Sequence, residues 1–91
     1  MREIHKKTYA AEFAAIFSGA KTFDCRLADF DCRAGDILIL DEIDDSRNPT
    51  GRSIRKKVGF VGKTRDFAKW HKAEDIEKYG YQIISLLEDE K

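Results

Sequence analysis

A run of four aliphatic residues near the middle of the chain constrains the fold more than any other feature. Ile37, Leu38, Ile39 and Leu40 follow one another without a polar residue between them. A strand with one buried face alternates apolar and polar residues, so an unbroken run is typical of a strand buried on both faces. A chain of 91 residues can support one hydrophobic core but not two. We therefore expect a single domain over residues 1–91, built around this strand.

The spacing of apolar residues predicts helices on either side of the strands. Residues 8–18 have helical periodicity, with Thr8 as a cap and Gly19 as a terminator of positive φ. The side chains that this helix is expected to bury are Tyr9, Phe13, Ile16 and Phe17. Residues 64–79 are also predicted to be helical, as two short helices or one helix with a bend, because their apolar residues recur at every third position.

Period-two alternation predicts strands over residues 21–27 and 53–61, and a closing strand over residues 81–87. A short additional strand is expected at residues 3–6. Residues 44–51 are rich in Asp, Ser, Asn, Pro and Gly, which favour turns, and should form the loop between two antiparallel strands. The strand side chains expected to face the core are Phe23, Cys25, Leu27, Ile54, Val58 and Phe60.

These elements predict an α+β fold. Strands joined by short loops favour antiparallel pairing, and a sheet of this size is best completed as a small β-barrel. We expect about five to six mostly antiparallel strands with two or three helices. The charged residues 88–91 are expected to form a frayed tail.

Composition excludes several classes of protein. Seventeen Lys and Arg residues balance seventeen Asp and Glu residues, which argues against binding nucleic acid by bulk charge. Cys25 and Cys32 have no ligand-like spacing, so neither a metal site nor a disulfide framework is indicated, and no cofactor is expected. No apolar run is long enough for a membrane span or a signal-peptide core. We expect a soluble, cytoplasmic protein that is monomeric and has no membrane partner.

The charge is unevenly distributed along the chain. Between residues 52 and 72 there are eight basic residues and one acidic residue. The segment could be an anion-binding face on which bases stack, as in single-strand binding proteins, or a solvated surface over an aromatic core. The aromatic residues of this region are Phe60, Phe67, Trp70 and Tyr79. The neighbouring His71 is expected to be a surface residue.

Lys21, Asp24 and Arg26 form a sharper cluster. Asp24 and Arg26 are two residues apart on one strand and therefore share a face, and Lys21 stands at the head of that strand. Two cations beside a carboxylate can hold a phosphate or bind the donor and acceptor edge of a base. The alternative interpretation is an ordinary surface ion pair.

The residues around this cluster resemble a known superfamily. Residues 19–26 read Gly-Ala-Lys-Thr-Phe-Asp-Cys-Arg and are similar to the Gly-x-Lys-x-x-Glu-x-Arg signature of the ASCH domain superfamily, relatives of the PUA RNA-binding fold. Residues 34–40, a Gly-Asp turn followed by the aliphatic run, resemble the next part of that family. Residues 50–52, the basic strand and residues 80–86 resemble a small phage and bacterial subgroup, the domain of unknown function DUF3850. The similarity spans nearly the whole chain.

The resemblance implies a β-barrel with a cleft lined by Lys21, Asp24 and Arg26, proposed for the superfamily to accept RNA or a modified nucleoside. Asp24 stands where Glu is usual and has a shorter side chain. Some small relatives resemble this chain in length and act as amidohydrolases on acetylated cytidine. They have a Lys at the position of Lys21, a Thr at that of Asp24 and a late Glu, for which Glu74 is the candidate. The resemblance also suggests a place for His5 at the cleft rim.

The leading hypothesis is a module that binds RNA or a nucleotide in this cleft. Its ligand-binding residues would be Lys21, Asp24 and Arg26, with a phosphate track of Arg52, Arg55 and Lys57. The first alternative is a small hydrolase acting on a modified nucleoside or on single-stranded RNA, with Lys21 as the catalytic centre and Asp24 or Glu74 as the base. The second is an accessory protein that binds a protein partner through its charged blocks.

Overall fold

The computed structural model describes residues 1–64 and 72–89. The elements in chain order are β1 (Glu3–Tyr9), α1 (Ala10–Phe17), β2 (Phe23–Leu27), β3 (Ile37–Ile43), β4 (Pro49–Lys63), α2 (Ala73–Lys78) and β5 (Tyr81–Glu88). The α+β class is confirmed. The predicted helix over residues 64–79 is described only in its C-terminal part, α2. Phe67, Trp70 and His71 lie outside the described residues.

The five strands form one mixed sheet in the order β1-β3-β4-β5-β2. β3–β4, β4–β5 and β2–β5 are antiparallel, whereas β1 and β3 are parallel. The parallel pair is possible because α1 and β2 lie between β1 and β3 in the chain and form a long crossover. The sheet curls into a half-barrel. Among the described residues its edge strands, β1 and β2, do not pair, so the predicted barrel is not closed.

β3 is an internal strand of the sheet, and residues 37–40 are all buried, as the aliphatic run predicts. The middle strand of the five is β4, because β1 covers the other edge of β3. The buried residues that form the core cluster are Ile16, Cys32, Leu38, Leu40, Val58, Ile84 and Leu86. Burial raises the pKa of the Cys32 thiol above its usual value, and the carboxylates of Asp36 and Asp31 add to the shift.

The face assignment of β2 is wrong. Phe23, Cys25 and Leu27 are exposed, whereas Asp24 is buried and Arg26 is half-buried. The alternation itself is as predicted, but alternation identifies two faces without saying which one points inward. The polar face can turn inward here because Asp24 and Arg26 form an ion pair. The pair removes most of the free-energy penalty for burying either charge alone.

A β-bulge explains the second error of this kind. Val58 is buried, but Phe60, which shares its parity in the sequence, is 70% exposed. The pairing of β4 with β5 shifts register between Val58 and Val61. One extra residue in a strand reverses the side-chain direction beyond it, so parity cannot be carried through this point. The predicted loop over residues 44–51 is also shorter, because β4 begins at Pro49.

The start of α1 differs from the prediction as well. β1 is longer than expected and includes Thr8, so the helix begins at Ala10 with Tyr9 as its uncapped N-terminal flank. Phe13 and Ile16 are buried as predicted, but Tyr9 and Phe17 are exposed. The ring of Phe17 stacks on that of Phe13, with 6.3 Å between their centroids. Gly19 ends the helical region with φ 86°, as predicted.

The last strand reaches further than predicted. Glu88 is the final residue of β5, and its carboxylate accepts a hydrogen bond from Lys56 Nζ at 2.6 Å. Asp89 accepts one from Arg55 Nε at 2.8 Å. Residues 90 and 91 lie outside the described residues. Neither described helix is long and apolar enough to cross a membrane.

Candidate functional site

The side chain of Arg26 bridges the gap between the two edge strands. Arg26, on β2, donates from Nη1 to the backbone oxygen of Lys7 at 3.0 Å and from Nη2 to Thr8 Oγ1 at 2.8 Å. Both acceptors belong to β1. Arg26 Nε donates to the carboxylate of Asp24, which is only 4% exposed. The guanidinium therefore connects two strands that make no backbone ladder, and its fixed fork of five N–H groups makes this geometry possible.

Lys21 reaches the same region from the end of α1. The backbone turns at Gly19, and Lys21 N donates to the carbonyl of Ala15 at 3.0 Å, which fixes the head of the following segment. The Lys21 ammonium forms an ion pair with Glu12 and lies 5.0 Å from the ring centroid of Phe23. Glu12 is more than half exposed, so this pair contributes little stability and is easily exchanged for another anion.

These side chains line an open cleft of about 630 Å³. Its lining residues are His5, Lys6, Lys7, Thr8, Tyr9, Glu12, Lys21, Asp24, Cys25, Arg26, Ile43 and Arg47. Five of them are Lys or Arg and two are acidic. The lining therefore carries a local positive charge, although the whole chain is neutral.

The free positive charge of the cleft comes from three residues. Within residues 1–64 and 72–89, no carboxylate forms an ion pair with Lys6, Lys7 or Arg47. Lys6 instead lies over the ring of Phe30, with Nζ 3.8 Å from the centroid. Cations without an acidic partner keep their capacity to bind an anion, because no existing pair has to be broken first.

The predicted phosphate track on β4 has a different electrostatic character. Arg52 pairs with Glu42 at 3.1 Å, and Arg55 pairs with Asp89 and Glu3. Hydrogen bonds to carboxylates raise the pKa of the Arg55 guanidinium; the bond to Asp89 has the largest effect and the bond to Glu3 the next largest. Both positive charges are thus matched by carboxylates of the same chain.

The sequence-predicted site residues therefore fall into two groups. Lys21, Asp24 and Arg26 line one cleft, as does His5, whose Nδ1 lies 2.8 Å from Asp41 Oδ2. The other predicted residues do not line it: Arg52, Arg55 and Lys57 lie on β4, and Glu74 lies on α2.

Sequence reasoning missed Glu12, Lys6, Lys7, Tyr9 and Arg47. The periodicity of α1 placed Glu12 opposite the buried stripe, but the fold of the following turn decides which cation it meets. Lys6, Lys7 and Tyr9 depend on the position of β1 beside β3, and Arg47 depends on where the predicted loop between β3 and β4 lies relative to β1. Periodicity reveals neither position.

The hairpin holds Arg47 in an unusual backbone conformation. Residues 44–48 form a tight turn in which Arg47 N donates to the Asp44 carbonyl and Asp44 Oδ1 accepts from the backbone of Ser46 and Asn48. Arg47 has φ 68°, in the left-handed region that costs a residue with a Cβ roughly 1–2 kcal/mol. Its Nη1 donates to the hydroxyl of Tyr9 at 2.9 Å.

A second polar network lies away from the cleft, at the start of the chain. Asp36 accepts hydrogen bonds from the backbone N–H groups of Arg33 at 2.9 Å and Arg2 at 3.1 Å. These bonds, chiefly the one from Arg33, lower the pKa of the Asp36 carboxyl. The network fixes the entry of β3, so we assign it a structural role. The described residues contain no group of three or more His, Cys, Asp or Glu arranged to hold a metal ion.

The fold and the site define a small half-barrel domain with a positively charged cleft beside its open seam. The family model described as "Domain of unknown function (DUF3850)" matches residues 4–75. The chain belongs to this family. No curated protein matches the chain.

A solved structure supports the fold. The crystal structure of hypothetical protein PH0355 is similar to this chain with a TM-score of 0.63, covering 96% of this chain and 98% of its own. Sequence identity between the two is 16%. The two chains therefore share a fold over nearly their whole lengths.

Proposed function

We propose that this chain is an ASCH-type module that binds a nucleotide unit, free or within single-stranded RNA, in the cleft beside Lys21 and Arg26. The observation that carries the proposal is a set of cations in the walls of that cleft, Lys6, Lys7 and Arg47, that have no acidic partner among the described residues. An anionic ligand would complete the charge balance there. The exposed ring of Tyr9 adds a stacking surface of the kind that single-strand binders use.

Each side chain of the cleft has a distinct proposed role. Arg26 donates three of its five N–H groups to other described residues, which leaves two for a phosphate or carbonyl oxygen. Asp24 holds that guanidinium in place. Lys21 exchanges its exposed partner Glu12 for the ligand, at little cost because surface ion pairs are weak. The phosphate contacts fall on β1 and the hairpin rather than on β4. Arg52 and Arg55 are already paired with carboxylates, and Lys57 does not line the cleft.

Binding of short single-stranded RNA at low and at moderate salt tests the proposal. We expect affinity that falls as salt rises, because phosphate contacts release counterions. The Lys21→Ala variant should weaken binding by about tenfold, the effect of one charge-assisted contact. Lys57→Ala is the matched control, since it removes one exposed positive charge outside the cleft. Binding that is absent, independent of salt or weakened equally by both variants would contradict the proposal.

One contact favours a second candidate function, hydrolysis of a modified nucleoside. The carboxylate of Glu12 touches the ammonium of Lys21 inside the cleft, and a carboxylate beside an amine can serve as a general base. Glu12 takes this place rather than Glu74. Incubation with acetylated cytidine, followed by product analysis, separates the candidates. Turnover that is abolished by both Lys21→Ala and Glu12→Gln would favour the hydrolase, and unchanged substrate would count against it.

A further inference from the structure

The outer face of β1 and the tip of the β3–β4 hairpin meet at one end of the cleft. Lys7 and Tyr9 are two residues apart on β1 and therefore project from the same face, and both are exposed. Arg47 lies at the hairpin tip, with its guanidinium carbon 5.9 Å from the ring centroid of Tyr9. All three residues line the cleft.

Arg47 occupies a turn position whose backbone conformation favours a different residue type. A tight hairpin turn that ends in a left-handed residue normally has Gly there, or Asn. The sequence has an arginine at φ 68° instead, and strained backbone of this kind is a reason to look for a function. The Arg47 guanidinium donates one N–H to the Tyr9 hydroxyl. It has no acidic partner within the described part of the chain.

We propose that Arg47, Lys7 and Tyr9 form a phosphate subsite of the cleft, so that the preferred ligand is a nucleoside monophosphate unit rather than a nucleoside. Arg47 and Lys7 bind the phosphate oxygens, and the ring of Tyr9 supports the attached ribose or base. The planar guanidinium suits phosphate because it can donate two parallel hydrogen bonds. This inference rests on the proposed function, because it assumes that the cleft binds nucleotides.

Titration calorimetry with the four ribonucleosides and their 5′-monophosphates tests the subsite. We expect the wild-type protein to bind at least one monophosphate about tenfold more tightly than its nucleoside, with the two parallel hydrogen bonds of the Arg47 guanidinium as the main source of this preference. Arg47→Gly should abolish this preference. Glycine adopts φ 68° without strain, so the variant should fold at least as well as the wild type, which a melting curve checks.

Two further variants make the result specific. Tyr9→Phe keeps the ring but removes the hydroxyl that orients Arg47, so it should reduce the phosphate preference and retain nucleoside binding. Lys57→Ala removes a positive charge elsewhere and should leave the preference unchanged. The affinities of a 5′-phosphorylated trinucleotide and of its unphosphorylated form are then compared in the same way, to test whether the subsite binds the phosphate at the end of a strand. A preference in either pair of ligands, lost in Arg47→Gly, supports the subsite.

The outcomes separate this subsite from the proposed function. Equal affinity for phosphorylated and unphosphorylated ligands, or a preference that survives in Arg47→Gly, overturns the subsite. If single-stranded RNA still binds with an affinity that falls as salt rises, and Lys21→Ala weakens that binding, the proposed function stands without the subsite. If neither nucleosides, monophosphates nor trinucleotides bind, both inferences are wrong.

Discussion

Replacement of Arg26 by alanine tests whether one side chain holds the seam of the half-barrel. The change leaves the Asp24 carboxylate, 4% exposed, without its cation. It also removes two hydrogen bonds to β1, at 3.0 and 2.8 Å. Breaking a buried ion pair from one side typically costs about 3–5 kcal/mol. A domain of this size has a free energy of unfolding of roughly 5–14 kcal/mol, so the loss is a large fraction of the total.

The assay is urea denaturation followed by circular dichroism, with Arg33→Ala as the matched control. Arg33 pairs with Asp31 at 3.7 Å, but its side chain is 82% exposed, so its loss should cost less than about 1 kcal/mol. The double variant Asp24→Ala/Arg26→Ala should lose less free energy of unfolding than the two single variants lose together. The difference should be about 1–3 kcal/mol, because the double variant leaves no unpaired charge buried. If Arg26→Ala costs no more than Arg33→Ala, the bridging role of Arg26 is refuted.

Three further predictions concern the core, the faces of β2 and the dependence of stability on pH. The Cys25 thiol should react with a maleimide in the folded protein, whereas Cys32 should react only on unfolding, because it is buried and its pKa is raised; two fast thiols would refute the assignment. Leu38→Ala should cost roughly 2–5 kcal/mol because Leu38 is fully buried, and Phe17→Ala, at an exposed position, should cost clearly less; similar losses would contradict the observed packing. The lowered folded-state pKa of Asp36 contributes stability above its unfolded pKa of about 3.9, and this contribution is lost as pH falls through the lower folded value. Asp36→Asn should therefore be less stable than wild type near pH 7, and the two should converge in strong acid; a constant difference would argue against this linkage.

The helices and strands could be predicted from the sequence wherever the pattern of apolar residues was strong. The aliphatic run of β3 predicts its burial on both faces, and Gly19 marks the end of α1. Which face of each strand points toward the core was harder to predict. In β2 the apolar residues point outward because the ion pair of Asp24 and Arg26 turns inward, and in β4 a bulge after Val58 reverses the parity.

The candidate site shows the same division between local and non-local information. Lys21, Asp24 and Arg26 lie close in sequence, so their place on one strand and its preceding turn could be predicted. Tyr9 and Arg47 are 38 residues apart and meet only because β1 pairs in parallel with β3. A parallel pair needs a long crossover, and the pattern of residues within a strand does not identify its partner.

The most direct test of the account is a backbone amide chemical-shift map, recorded while a ribonucleoside monophosphate is titrated into the protein. The central claim is that the cleft at the seam of β1 and β2 binds a nucleotide. We expect the largest shifts at Lys7, Tyr9, Lys21 and Arg47, with the amide of Lys57 unmoved. Shifts that are absent, or that centre on β4 around Lys57, would contradict the claim.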